Sequence, residues 1–148
     1  MLLGHSRGAY GAAGALDGTD GAALVSGVNS AMEAQTQPLS NLLALPAAGT
    51  WPVLWAVQAL EFGADARFDA AAALAGSDVP ALVIQGTGDT TAPPALHSLW
   101  AHRAEFDRAG VELLALEGGH TDVLCSDGAA NDAAVGALCD FFDRCAGK

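Results

Sequence analysis

The stretch Met1-Leu2-Leu3-Gly4-His5-Ser6-Arg7-Gly8-Ala9-Tyr10-Gly11 sets a serine in a Gly-x-Ser-x-Gly frame directly behind three apolar residues. A buried strand runs about five or six residues, so Met1-Leu2-Leu3 reads as the last piece of a strand. After Ser6, the small residues from Ala9 to Leu16 read as a helix. Gly4, Gly8, Gly11 and Gly14 are spaced so that several can face one side; since glycine costs a helix interior about 1 kcal/mol against alanine, they predict that this helix packs closely on a sheet. In such a strand-turn-helix setting, flanking glycines let a strained turn project the serine, and the helix N-terminus favours negative charge beside it. The plain alternative is a glycine-rich turn in which Ser6 merely caps the helix.

Outward from that turn the chain alternates between strand and helix patterns. Asp17-Gly18-Thr19-Asp20-Gly21 is a turn, and Ala22 to Val28 is an apolar run suited to a strand covered on both faces. Residues 29 to 78 carry little strand pattern; they hold Pro38, Pro46 and Pro52, alanine-rich stretches, and Trp51, Trp55, Phe62 and Phe68, and read as short helices. Val79 to Gly86 is a second buried strand, Pro94 to Ala109 a helix, Val111 to Leu116 a strand, and Asn131 to Cys145 a closing helix with Val135, Leu138, Phe141 and Phe142 on its apolar side. This order predicts a three-layer α/β/α domain on a mostly parallel sheet, its strands in sequential order.

Composition excludes whole classes of function. The chain has 148 residues, 51% of them hydrophobic, enough for one domain with its own core. Six Lys and Arg against 17 Asp and Glu give a formal net charge of -11, which repels nucleic acid and anionic membrane surfaces. Lys148 is the only lysine, which argues against a Walker-type phosphate loop and a Schiff-base mechanism. No apolar run approaches the roughly 18 residues of a membrane span, and no basic segment followed by an apolar one heads the chain. Cys125, Cys139 and Cys145 lack metal-ligand spacing and read as free thiols in a reducing cytosol, with one bridge from Cys125 as the alternative.

A serine hydroxyl is a weak nucleophile and needs a base, which in turn needs an orienting carboxylate. Among four histidines, His5 adjoins the serine and is expected to point elsewhere, while His97 and His102 fall in a helix. His120 follows a strand through Gly118-Gly119, so its ring can sit on a loop at the carboxyl end of the sheet; a plain loop histidine is the alternative. Asp89 leaves directly from the Val79 to Gly86 strand in Gly86-Thr87-Gly88-Asp89, where parallel sheets build their sites. A turn role is its alternative, and Asp122 is the second-best carboxylate.

The segments GHSRGA, VPALVIQGTGDTTAPP and LLALEGGHTDVL together resemble the α/β-hydrolase family, in which nucleophile, acid and base follow the chain order Ser, Asp, His. That resemblance implies Ser6 as nucleophile, Asp89 as orienting acid, His120 as general base, and the Arg7 backbone N–H as one oxyanion donor. It covers nearly the whole chain but only the second half of the family's fold: a partial α/β-hydrolase domain over 1–148, the last four strands, with a helical cap inserted at 29–78. It implies that the strands before Met1 and a second oxyanion donor lie outside this sequence. Trp51, Trp55 and Phe62 could line a cap pocket, or simply pack cap helices on the sheet.

The leading expectation is a serine hydrolase cleaving a small-molecule carboxylic ester, or an amide or thioester, through an acyl-enzyme with no cofactor. The competing expectation is a catalytically incompetent fragment or a non-enzymatic interaction module. A flavodoxin-like binding domain would explain the sheet but leave the Ser, Asp, His order to coincidence. With one oxyanion donor and an unpaired apolar strand edge, the isolated chain is expected to be a poor or inactive hydrolase and to self-associate through that edge.

Overall fold

Four of the apolar runs become parallel strands in a computed structural model, which describes residues 1–43 and 46–147. They are β1 (Leu2–His5), β2 (Ala22–Val25), β3 (Ala81–Gly86) and β4 (Val111–Leu116), in the spatial order β1-β2-β3-β4. Register runs Leu2 opposite Ala22, Ala22 opposite Ala81, and Ala81 opposite Val111. The two central strands, β2 and β3, are buried at every residue. Strands covered on both faces need no polar alternation, which is why their apolar runs are continuous.

Helix α1 (Arg7–Ala13) follows β1, and α2 (Ala31–Leu43), α3 (Ala47–Phe62) and α4 (Ala70–Ala75) lie between β2 and β3. The α1 and α4 helices cover one face of the sheet, where Ala9, Ala13, Ala70, Leu74, Val83 and Phe106 form a core. The last helix, α5 (Asp132–Ala146), covers the other, packing Phe141 and Cys145 on Val25, Leu82 and Ile84. The α2 and α3 helices pack on each other, whereas α4 is sunk in the core, its N-terminus capped by Asp69. Arg108 ties this layer to the sheet by donating to the carbonyls of Leu74 and Val79, at 2.9 and 2.8 Å.

Within the fold, the structure departs from the sequence expectations in packing and in the extent of its elements. Of the glycines expected to let α1 pack closely on the sheet, Gly4 of β1 does so, a Cβ there standing 2.6 Å from the Ala9 nitrogen, whereas on the helix itself Ala9, Ala12 and Ala13 are the buried residues and a Cβ on Gly8 or Gly11 would meet nothing within 4 Å. The expected helix over 94–109 is a 3₁₀ helix at Leu99–Glu105 alone, because the Leu96 and His97 N–H groups both return to the Pro93 carbonyl and Ser98 starts a new cap. On α5, Val135 is exposed and the buried positions are Ala134, Phe141 and Cys145. A small hairpin, β5 (Cys125–Ser126) with β6 (Ala129–Ala130), turns through Asp127-Gly128, both at positive φ. Cys125, Cys139 and Cys145 are all free. Among the described residues no helix is long and apolar enough to cross a membrane.

Candidate active site

The turn from β1 into α1 forces Ser6 to φ 57° and ψ -119°, a backbone state that non-glycine residues adopt only where the surroundings impose it. Two backbone hydrogen bonds impose it here: the Ser6 N–H reaches the Val25 carbonyl at 2.9 Å, and the Ala9 N–H reaches the Ser6 carbonyl at 3.1 Å. Gly4 is required for steric reasons, since a Cβ there would run into the Gly8 backbone and come within 2.6 Å of the Ala9 nitrogen. Gly8 has open space instead. Only one of the two flanking glycines is therefore demanded by the turn. Arg7 opens α1, so its N–H stands ahead of the first intrahelical hydrogen bond, beside Ser6.

The loop after β3 carries Asp89, 3% exposed, and its carboxylate is fully engaged. Oδ1 accepts from the Thr91 and Ala92 N–H groups at 2.9 and 2.8 Å. Oδ2 accepts from Gln85 Nε2 at 3.1 Å and faces His120 Nδ1 at 2.8 Å. Gln85 is fully buried near the end of β3, and its Nε2 also lies within reach of the Gly86 and Ala92 carbonyls. Sequence reasoning missed Gln85. Its signal was available: the one polar residue inside Ala81-Leu82-Val83-Ile84-Gln85-Gly86, four positions before the aspartate.

The loop after β4 brings in the histidine. His120 Nε2 lies 2.9 Å from Ser6 Oγ. A carboxylate can only accept, so Nδ1 carries the proton toward Asp89, and Nε2 is left to accept from the serine hydroxyl. This loop is fitted closely to the one holding Asp89: the Gly88 N–H donates to the Gly118 carbonyl at 2.9 Å, and a Cβ on Gly86 would stand 2.7 Å from the Gly118 and Gly119 oxygens. His5 does not point away, as expected from its place in a sharp turn. Its Nε2 is 2.8 Å from the His120 carbonyl oxygen and its ring centroid is 4.9 Å from that of His120.

Thus Ser6, Asp89 and His120, from three separate segments, meet at the carboxyl ends of β1, β3 and β4 in one hydrogen-bonded chain, with Arg7 alongside. The three aromatic residues expected at a pocket part company. Phe62 lines a cavity of about 350 Å³ together with Tyr10, Gly11, Gly14, Gln58 and Phe68. An adjoining cavity of about 140 Å³ shares Tyr10, Gln58 and Phe62 and reaches Arg7. Trp51 and Trp55 are about half exposed, at 50% and 53%, and line neither cavity. Asp122 is not part of the hydrogen-bonded chain; its carboxylate lies over Gly119.

A parallel sheet in this order, with a serine turn at its first strand and acid and histidine loops at its third and fourth, is the architecture of the second half of an α/β-hydrolase. Solved structures bear this out. An esterase of Pyrococcus furiosus superposes with a TM-score of 0.67 at 14% identity, over 96% of this chain and 52% of the esterase. An acylaminoacyl peptidase of Pyrococcus horikoshii gives 0.62 at 17% identity, over 96% of this chain and 23% of the peptidase. The enol-lactonase of Burkholderia xenovorans LB400 gives 0.56 at 21% identity, over 95% of this chain and 64% of the lactonase. At these identities the likeness is one of fold, and the chain has the α/β-hydrolase fold in part, spanning about half the length of the esterase. No family model and no curated protein matches the sequence.

Proposed function

We propose that this chain carries the catalytic machinery of a serine hydrolase that cleaves uncharged carboxylic esters through an acyl-enzyme. The observation that supports this most is the continuous chain from Ser6 Oγ through His120 to the buried Asp89, at 2.9 and 2.8 Å. In this reading Ser6 Oγ attacks the ester carbonyl carbon while His120 Nε2 takes the hydroxyl proton. The resulting imidazolium is held by Asp89, and the oxyanion accepts a hydrogen bond from the Arg7 N–H. As the C–O bond breaks, His120 returns the proton to the departing alcohol. Water then attacks the acyl-enzyme with His120 again as base, releasing the acid and restoring Ser6.

The larger cavity supports an apolar substrate: Tyr10, Phe62 and Phe68 supply aromatic wall, and Gly11 and Gly14 line it without side chains. The α2 and α3 helices act in this reading as the cap, within residues 29–78, that sets specificity. The free cysteines suit a reducing compartment, and we assign the cytoplasm. The test is p-nitrophenyl butyrate at enzyme concentrations high enough to see one turnover. The reading expects release of p-nitrophenol by the full chain, at least about 1000-fold slower in Ser6→Ala and in His120→Ala. Release that survives either substitution, or none from the unaltered chain, contradicts it.

A further inference from the structure

His5 has no part in the mechanism above, yet it is the side chain that joins the nucleophile's strand to the base's loop. Its backbone is fixed in the β1·β2 ladder opposite Val25, and the next residue is Ser6. Its Nε2 lies 2.8 Å from the His120 carbonyl oxygen. That oxygen can only accept, so Nε2 is the protonated nitrogen of His5 and donates to it. The His120 loop reaches the histidine through two glycines, Gly118 at φ 137° and Gly119, a sequence with wide backbone freedom. Three successive carbonyls restrain it: Gly118 bonds to the Gly88 N–H at 2.9 Å, Gly119 to the Val123 N–H at 3.4 Å, and His120 to His5. The first tie leads to the acid's loop and the second stays within the base's own loop. Only the third reaches the strand that carries Ser6.

We propose that His5 is a positioning residue that sets the distance between Ser6 Oγ and His120 Nε2, on the basis of the hydrolase reading above. Without it, the His120 loop is held toward Asp89 but free to swing away from Ser6. The tilted ring contact, 53° between planes, adds a steric stop on the same side. In this role His5 acts through the His120 backbone and ring and takes no part in the proton transfer.

Two variants separate positioning from packing in the full chain. His5→Phe keeps a ring of similar breadth but removes the donor; His5→Gln keeps an N–H donor on a chain of similar reach. His5→Phe should slow acylation by p-nitrophenyl butyrate by about 10- to 100-fold with KM unchanged, the range expected from misplacing a reacting group by under 1 Å. His5→Gln should recover to within about threefold of the unaltered chain. The His120 Nδ1–H proton facing Asp89 gives a second readout by low-field proton NMR: its signal should persist in both variants, because the Asp89 side of the loop is untouched. Acylation by His5→Phe within twofold of the unaltered chain overturns the proposal. So does a His5→Gln as slow as His5→Phe, or loss of the low-field signal in His5→Phe, which would mark a general collapse of the site. If the unaltered chain shows neither acylation nor the signal, the hydrolase reading fails and the proposal falls with it.

Discussion

Replacing Gly86 by alanine should disable the site from behind, without touching any of its side chains. The added Cβ would stand 2.7 Å from the carbonyl oxygens of both Gly118 and Gly119, whereas ordinary contact begins near 3.4 Å, so the loop must retreat by about 0.7 Å. Neither neighbour is a flexible side-chain tip; both are backbone, two residues and one residue ahead of His120. Carried through to the ring, that retreat stretches contacts now at 2.9 Å to Ser6 and 2.8 Å to Asp89 to about 3.5 Å, past the roughly 3.2 Å limit of a useful hydrogen bond. A 1 Å misplacement costs about 100-fold in rate, so Gly86→Ala should label with a fluorophosphonate about 10- to 100-fold more slowly. Overpacking of this kind costs about 1–3 kcal/mol; at about 2–4 °C per kcal/mol for a chain of this size, Tm should fall by several degrees. Gly88→Ala is the internal control. Its Cβ would meet the Gly118 oxygen at 3.2 Å, a far milder conflict, and its labelling should stay within about threefold of the unaltered chain. A Gly86→Ala chain that labels at the original rate would show instead that the loop moves without moving His120.

Other substitutions probe the supports one at a time. Gly4→Ala should prevent the Ser6 turn from forming and abolish labelling, while Gly8→Ala, in open space on a helix, should leave labelling intact and raise stability by about 0.5–1 kcal/mol in thermal or urea unfolding. Gln85→Leu leaves Asp89 Oδ2 with one donor fewer and removes the Nε2 donor from the Ala92 carbonyl; unfolding should show a loss of about 1–3 kcal/mol. His102 bridges α2 to the 3₁₀ helix, with Nε2 3.1 Å from Glu33 and Nδ1 2.8 Å from Glu105. Burial lowers its pKa, but the hydrogen bonds and charges of Glu105 and Glu33 outweigh that and hold it above the ordinary 6.5. Its stabilisation is therefore complete below pH 6.5 and is lost as pH rises through the raised value, so Tm should decline over that interval and His102→Leu should flatten the decline.

What could be read from the sequence follows from which physical constraints are local. The β2 and β3 strands are legible because burial on both faces makes their runs almost wholly apolar, Gln85 being the polar exception, and the ends of β3 and β4 are legible because glycines mark where the chain must turn. Ser6, Asp89 and His120 stand out for the same reason: each follows such a strand end. His5 did not, because its partner is a loop 115 residues away that only the sheet brings near. Gln85 is different: its partner is the aspartate four positions on, and the local signal was a single polar residue in an apolar strand. The glycines of α1 misled in an instructive way. They were expected to serve packing, but Gly11 and Gly14 instead line a cavity, which is a three-dimensional fact with no local signature. Asp127-Gly128 was a local signal for the β5–β6 hairpin, overlooked because strands of two residues have no periodicity to detect.

Whether His120 and Asp89 make Ser6 nucleophilic is measured by fluorophosphonate labelling of the chain followed by peptide mapping. A single phosphonylated residue, Ser6, is expected, with labelling abolished in His120→Ala and strongly slowed in Asp89→Asn, whose amide can no longer fix the His120 tautomer. A label on Ser26, Ser98 or Ser126, or labelling of Ser6 that is indifferent to the loss of His120, would contradict this expectation.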